Sequence, residues 1–233
     1  MVSIVAKKNP TTAACSASLV ASKFIITAAH CFKHELKEAF EVVLGTDDLS
    51  DDPSNYQPYQ KKLDIFKLHQ HPNYTGKYHY DIAIIELENE VPFNEGIYPI
   101  CLPTVGIPID RADHQVTLAG FGSTDNGHQN RKLRFTSLQI IDQRTCNREY
   151  RQRIGVANLF TTNLLCAGSF VRGTGSCPGD SGGPLYKVLS YEGYSEQIAV
   201  TKGGDARTAC GSFPGIYTKL DDPVIFDWMR RIL

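Results

Sequence analysis

Cys177-Pro178-Gly179-Asp180-Ser181-Gly182-Gly183-Pro184 decides how this chain is read. It holds a serine in a tight turn between glycines, and glycine permits both positive φ and the close approach of a second backbone. Such a turn presents the Ser181 hydroxyl outward and aims the amides of Gly179 and Ser181 at one point, where an oxyanion can sit. A serine hydroxyl is a weak nucleophile at neutral pH; it needs a base, and the base needs a group to orient it. Two other stretches offer these. His30 lies in Ile26-Thr27-Ala28-Ala29-His30-Cys31, and Asp81 opens the run Asp81-Ile82-Ala83-Ile84-Ile85-Glu86-Leu87. Singly, the three motifs read as a surface turn, a structural histidine and a strand-entry aspartate. Together they point to nucleophilic catalysis.

The order His, Asp, Ser differs from that of the α/β-hydrolases and of subtilisin. The chain resembles the chymotrypsin/trypsin-like serine peptidases from about residue 1 to its C-terminus. The resemblance implies an all-β fold of two six-stranded antiparallel β-barrels with a C-terminal helix. The N-terminal barrel would occupy 1–105, the C-terminal barrel 106–220 and the helix 221–233. His30 and Asp81 would come from the first barrel and Ser181 from the second, meeting in the cleft between them. His30 would act as general base, Asp81 would hold its tautomer, and Gly179 and Ser181 would form the oxyanion hole. Thr201 matches a position whose hydroxyl bonds this aspartate.

The same resemblance places Gly175 at the base of the substrate pocket and Gly203 and Gly215 on its walls. Three glycines imply a roomy pocket without an anionic base, suited to bulky apolar or aromatic side chains. Lys202 stands where the family usually carries an aromatic that lines the substrate groove; a cation there would favour acidic subsites. Pro178, which lacks an amide hydrogen, precedes the oxyanion glycine. Active relatives begin with Ile-Val-Gly-Gly or a similar segment, whose ammonium pairs with the aspartate matched by Asp180. Met1-Val2-Ser3-Ile4-Val5 looks like the strand that follows that segment, so the expectation is a zymogen-like piece of a longer precursor.

Seven cysteines imply an oxidising compartment. Counting alone leaves one unpaired. The resemblance implies bridges Cys15–Cys31, Cys146–Cys166 and Cys177–Cys210. Cys101 is left, either as a bond to a pro-segment or light chain or as a buried free thiol. Asn73-Tyr74-Thr75 is an N-glycosylation sequon.

The 233 residues carry a net charge of −1 and are 42% hydrophobic, so they can build a large core and give no reason to expect nucleic acid or an anionic membrane. No run approaches the ~18 apolar residues of a membrane span. Expected partners are a protein or peptide substrate and protease inhibitors. No cofactor is expected, although Asp47, Asp48, Asp51 and Asp52 form an acidic loop that is either a calcium site or simply solvated. His69, His71 and His79 read as surface residues rather than zinc ligands.

Short β-prone runs separated by Gly, Pro, Asn and Asp span the chain, at Val2–Val5, Leu19–Thr27, Glu41–Leu44, Lys62–Leu68, Ile82–Leu87, Gln115–Leu118, Leu133–Ile141, Gly183–Val188, Gln197–Thr201 and Gly215–Lys219. Asp222 and Pro223 start a terminal helix whose apolar stripe is Val224, Trp228 and Ile232. Cys146–Arg153 is a second, shorter helical candidate. Two functions compete: a secreted endopeptidase acting through Ser181, and a non-catalytic homologue used as a binding or regulatory module.

Overall fold

The computed structural model describes the chain except residues 34, 51–53, 56, 105–113, 125–130, 170–173, 190–192 and 205–209. Two antiparallel sheets dominate. The first contains β1 (Val2–Ala6), β2 (Asn9–Ala21), β3 (Phe24–Thr27), β4 (Phe40–Leu44), β5 (Lys61–Asp64), β6 (Lys67–Gln70) and β7 (Ala83–Glu86), in the order β5-β4-β1-β2-β3-β7-β6. The second is a closed barrel of β8 (Gln115–Gly120), β9 (Arg134–Ile141), β10 (Leu164–Gly168), β11 (Pro184–Leu189), β12 (Tyr194–Gly203) and β13 (Gly215–Lys219). Helices α1 (Gln143–Ile154) and α2 (Pro223–Arg230) complete the fold.

The pairing of β3 with β7 shows how sequence becomes position. Ile25 lies opposite Ile85, Ile26 opposite Ile84 and Thr27 opposite Ala83. Side chains alternate across a sheet, so Ile25 and Ile85 enter the core of the first sheet. Ile26 and Ile84 face the other way, into a cluster with Val200, Leu220, Ile225 and Met229 that joins the two sheets and α2. Both faces are buried, which is why these strands read as unbroken apolar runs. The Thr27–Ala83 register also sets the site, because His30 follows β3 and Asp81 precedes β7 at the same end of the pair.

Several expectations are revised. The first sheet is a seven-stranded half-barrel rather than a closed six-stranded one. Lys62–Leu68 is two strands, interrupted where Ile65 turns into the core and Phe66 turns out. The terminal helix buries Ile225 and Met229, while Val224 on the anticipated stripe is 48% exposed. Asp222 caps this helix, accepting from the amides of Val224 and Ile225. The other helix begins earlier than expected because Asp142 accepts from the Thr145 amide, and it ends at left-handed Gly155.

Candidate active site

His30 sits in a single 3₁₀ turn, Ala29–Phe32, directly after β3. The next residue, Cys31, is bridged to Cys15 of β2, which anchors the turn to the sheet. The Asp81 carboxylate holds His30 twice. Oδ1 accepts the His30 backbone amide at 2.9 Å, and Oδ2 lies 2.7 Å from Nδ1. Asp81 is fully buried, whereas the imidazole keeps 23% of its surface. With Nδ1–H directed at a carboxylate, Nε2 is the nitrogen that can accept a proton. The Asp81 main-chain carbonyl is fixed by the Thr218 hydroxyl at 3.2 Å. Tyr74 lies close by, and burial, followed by the charge of Asp81, pushes its phenol up to about 12.

Thr201 departs from expectation. Its hydroxyl is buried and has no hydrogen-bond partner among the described residues. The second group on the carboxylate is the Lys202 ammonium, 3.4 Å from Asp81 Oδ2. A cation makes a stronger contact with a carboxylate than a neutral hydroxyl does.

Ser181 occupies a turn in which some amides are engaged and others are not. The amide of Asp180 donates to Cys177, that of Gly182 to Thr201 and that of Gly183 to Asp180. Among the described residues, the amides of Gly179 and Ser181 have no acceptor. Gly179 takes φ +98° and Gly182 φ +84°, values that strongly favour glycine. The first sheet grips the turn through Ser16 of β2. The Ser16 amide donates to the Ser181 carbonyl at 2.8 Å, and its hydroxyl donates to the Gly179 carbonyl at 2.9 Å while accepting from the Phe121 amide at 3.1 Å. A side chain at Gly182 would collide with Thr27 Oγ1, Ser16 O and the Ala28 amide, so the turn lies tight against the segment leading to His30. Sequence reading missed Ser16, since one serine in a strand carries no recognisable signal.

Asp180 points away from the hydroxyl. Its carboxylate accepts from the amides of Gly122 at 2.8 Å and Cys177 at 2.9 Å. Burial pushes its pKa up despite these two bonds. It borders a cleft of about 450 Å³ that Gly122, Arg134 and Gly175 also line.

The pocket glycines behave differently from one another. A Cβ at Gly175 would lie 2.8 Å from Gly211 Cα, and one at Gly215 would meet the Tyr217 ring and hydroxyl at 2.8–3.0 Å. These two permit close packing and leave no free room. Only Gly203, whose Cβ would sit 4.0 Å from Ser181 Oγ, opens towards the serine.

The bridges Cys15–Cys31, Cys146–Cys166 and Cys177–Cys210 all form. Cys101 is free and exposed rather than buried. It borders a cavity of about 900 Å³ with Leu19, Tyr98, Ile100, Tyr186 and Tyr194. Asn73 is exposed. Asp48 is buried, and its oxygens face the Ser50 amide, Asn55 and Lys132, while Asp51 and Asp52 lie outside the described residues. His71 is no surface residue: it is 2% exposed, stacked on Tyr80 and edge-on to Trp228.

The Trypsin family model matches residues 1–229. The chain is 35% identical to venom serine protease Bi-VSP of Bombus ignitus, covering 91% of this chain and 58% of that protein. It is 31% identical to serine protease snk of Drosophila melanogaster, covering 94% and 48% respectively. It is also 31% identical to the clotting factor G beta subunit of Tachypleus tridentatus, covering 97% and 73%. The chain therefore spans about half to three quarters of the length of these relatives.

Proposed function

The chain belongs to the trypsin family of serine proteases, and on that premise we propose that it is an endopeptidase that cleaves peptide bonds by acyl transfer to Ser181. One observation carries this reading: a buried carboxylate orients the His30 imidazole while, among the described residues, the serine turn keeps two amides without an acceptor. Ser181 Oγ attacks the substrate carbonyl carbon as its proton passes to His30 Nε2. The carbonyl electron pair moves onto oxygen, facing the amides of Gly179 and Ser181. The C–N bond then breaks, and His30 returns the proton to the departing amine. Water repeats the sequence on the acyl-enzyme, releasing the acid and restoring Ser181.

The finer reading is a secreted, glycosylated enzyme made as part of a longer zymogen. The three bridges and the exposed Asn73 support secretion and glycosylation. The Asp180 carboxylate supports activation by processing. It borders an open cleft, its partners among the described residues are two amides, and burial penalises its charge. An incoming ammonium would remove that penalty and lock the oxyanion turn. The exposed Cys101, beside an apolar cavity, suits a bond to an upstream segment. Glycine rather than a carboxylate at position 175 favours uncharged, apolar side chains at the cleaved residue.

Labelling of the full-length, processed protein by a fluorophosphonate probe tests the assignment. The expected result is one label per chain, abolished in Ser181→Ala and weaker before processing. An unlabelled processed form would refute it.

A further inference from the structure

Lys202 reaches the one carboxylate on which the histidine depends. Its ammonium lies 3.4 Å from Asp81 Oδ2, the oxygen that also faces His30 Nδ1 at 2.7 Å. Two groups touching one oxygen stand within about 6 Å of each other. Asp81 is fully buried and only 21% of the Lys202 side chain is exposed, so solvent screens this arrangement poorly. The Tyr78 ring lies 6.0 Å from the ammonium, a loose contact that does not tether it. Lys202 is the penultimate residue of β12, next to Gly203, where an added Cβ would lie 4.0 Å from Ser181 Oγ.

We propose that Lys202 is a substrate-responsive specificity determinant that rests on Asp81 until an acidic substrate side chain draws it away. The proposal builds on the protease reading above and adds a preference at the positions beside the cleaved residue.

In the resting arrangement the ammonium opposes catalysis. As His30 takes the serine proton, a second positive charge develops beside the same oxygen, and the lysine both repels it and shares its counter-ion. A substrate carboxylate in the cleft gives the ammonium another partner. Moving it returns the whole Asp81 charge to the imidazolium, so the benefit falls in the chemical step rather than in binding alone. An extended peptide advances about 3.3 Å per residue. Lys202 adjoins Gly203, which faces Ser181 Oγ, so the proposed acid lies close to the cleaved bond, at one of the first two residues from it.

Matched fluorogenic peptides, differing only in Glu or Gln at those positions, test the proposal on the processed full-length protein. The wild type is expected to turn over the Glu peptide about tenfold faster in kcat. Lys202→Met is expected to abolish this preference by raising kcat for the Gln peptide about tenfold, while Lys202→Arg retains the preference. Fluorophosphonate titration counts active sites in every variant, and a thermal melt checks folding. The proposal is overturned if the wild type shows no preference, if Lys202→Met keeps it, or if that variant slows both peptides with its active sites intact. Should Lys202→Met not fold, Lys202→Gln carries the same expectations. A processed wild type that takes no label would instead overturn the protease reading itself, and this proposal with it.

Discussion

Asp81 binds His30 through both its oxygens, one to the backbone amide and one to Nδ1. The double contact fixes the ring's position and tautomer together. Asp81→Asn keeps the shape but replaces an acceptor with an amide that cannot serve both roles. Under the proposed mechanism, kcat falls by about 10³–10⁴, and the melting temperature also falls because the Lys202 ammonium loses its buried counter-ion. Steady-state kinetics on a peptide substrate, beside a thermal melt, check both halves.

Ser16 links the first sheet to the Gly179–Gly183 turn. Its hydroxyl joins the Gly179 carbonyl to the Phe121 amide, and the residue is wholly buried. Ser16→Ala leaves both groups without that partner, so stability should fall by roughly 1–3 kcal/mol. Loosening Gly179 should also lower kcat by about tenfold with little change in KM. A peptide boronic acid, which reproduces the tetrahedral oxyanion, should bind more weakly to the variant. A non-covalent substrate-like inhibitor should not. Equal loss for both ligands would reduce Ser16 to a purely structural part.

Much of this site was legible because each part has a local signature. The Gly179–Gly183 turn needs glycines at fixed positions, and Asp81 stands at the mouth of an apolar run. The strand pair β3–β7 was visible for the same reason, since β-branched residues buried on both faces leave a continuous hydrophobic stretch. Contacts between distant segments were not legible. The grip of Ser16 on residue 179 spans 163 positions, and no local pattern announces it. The same holds for Lys202, whose unusual placement was visible but whose partner was not. The glycines misled at Gly175 and Gly215, because an absent side chain signals either open space or a close neighbour, and here Gly211 and Tyr217 fill the gap. On α2, the apolar residues Val224, Ile225, Trp228 and Met229 cover more than one face. Only packing against Ile26, Ile84 and Val200 decides that Ile225 and Met229 turn inward.

His71 ties stability to pH. Burial against Tyr80 and Trp228 lowers its pKa, and its Nδ1 accepts the Asn73 amide at 3.1 Å. Protonation would cost that bond and place a charge in an apolar niche. The unfolded chain, with a histidine pKa of about 6.5, binds this proton more readily than the folded one. The full contribution of neutral His71 is therefore present above about pH 6.5 and is lost as the pH falls towards the depressed folded value. Melting temperatures measured between these limits should decline more steeply in the wild type than in His71→Phe. Parallel curves would show that other groups set the slope.

Cys101 should be the only thiol to react with a disulfide reagent. The three bridges occupy the other six cysteines, and Cys101 is exposed. A chromogenic disulfide reagent added to this folded chain should release one equivalent of thiolate, and none from Cys101→Ser. In the full-length protein the proposed bond to an upstream segment should block the reaction until a reductant is added. Two or more equivalents from the native chain would contradict the bridging.

Gly182 and Gly155 separate backbone strain from collision. Both have positive φ, +84° and +74°. A Cβ at Gly155 meets nothing within 4 Å, whereas one at Gly182 meets Thr27 Oγ1, Ser16 O and the Ala28 amide, the last at 2.9 Å. Gly155→Ala therefore carries only the left-handed penalty, about 1–2 kcal/mol. Gly182→Ala adds a clash with rigid backbone on the segment that leads to His30, and should cost more than about 3 kcal/mol. It should also abolish fluorophosphonate labelling, because relieving the clash moves Ser181 away from the first sheet. Urea denaturation of the two variants gives the comparison. Equal midpoints would mean that the serine turn is not packed against Thr27 and Ala28 in solution.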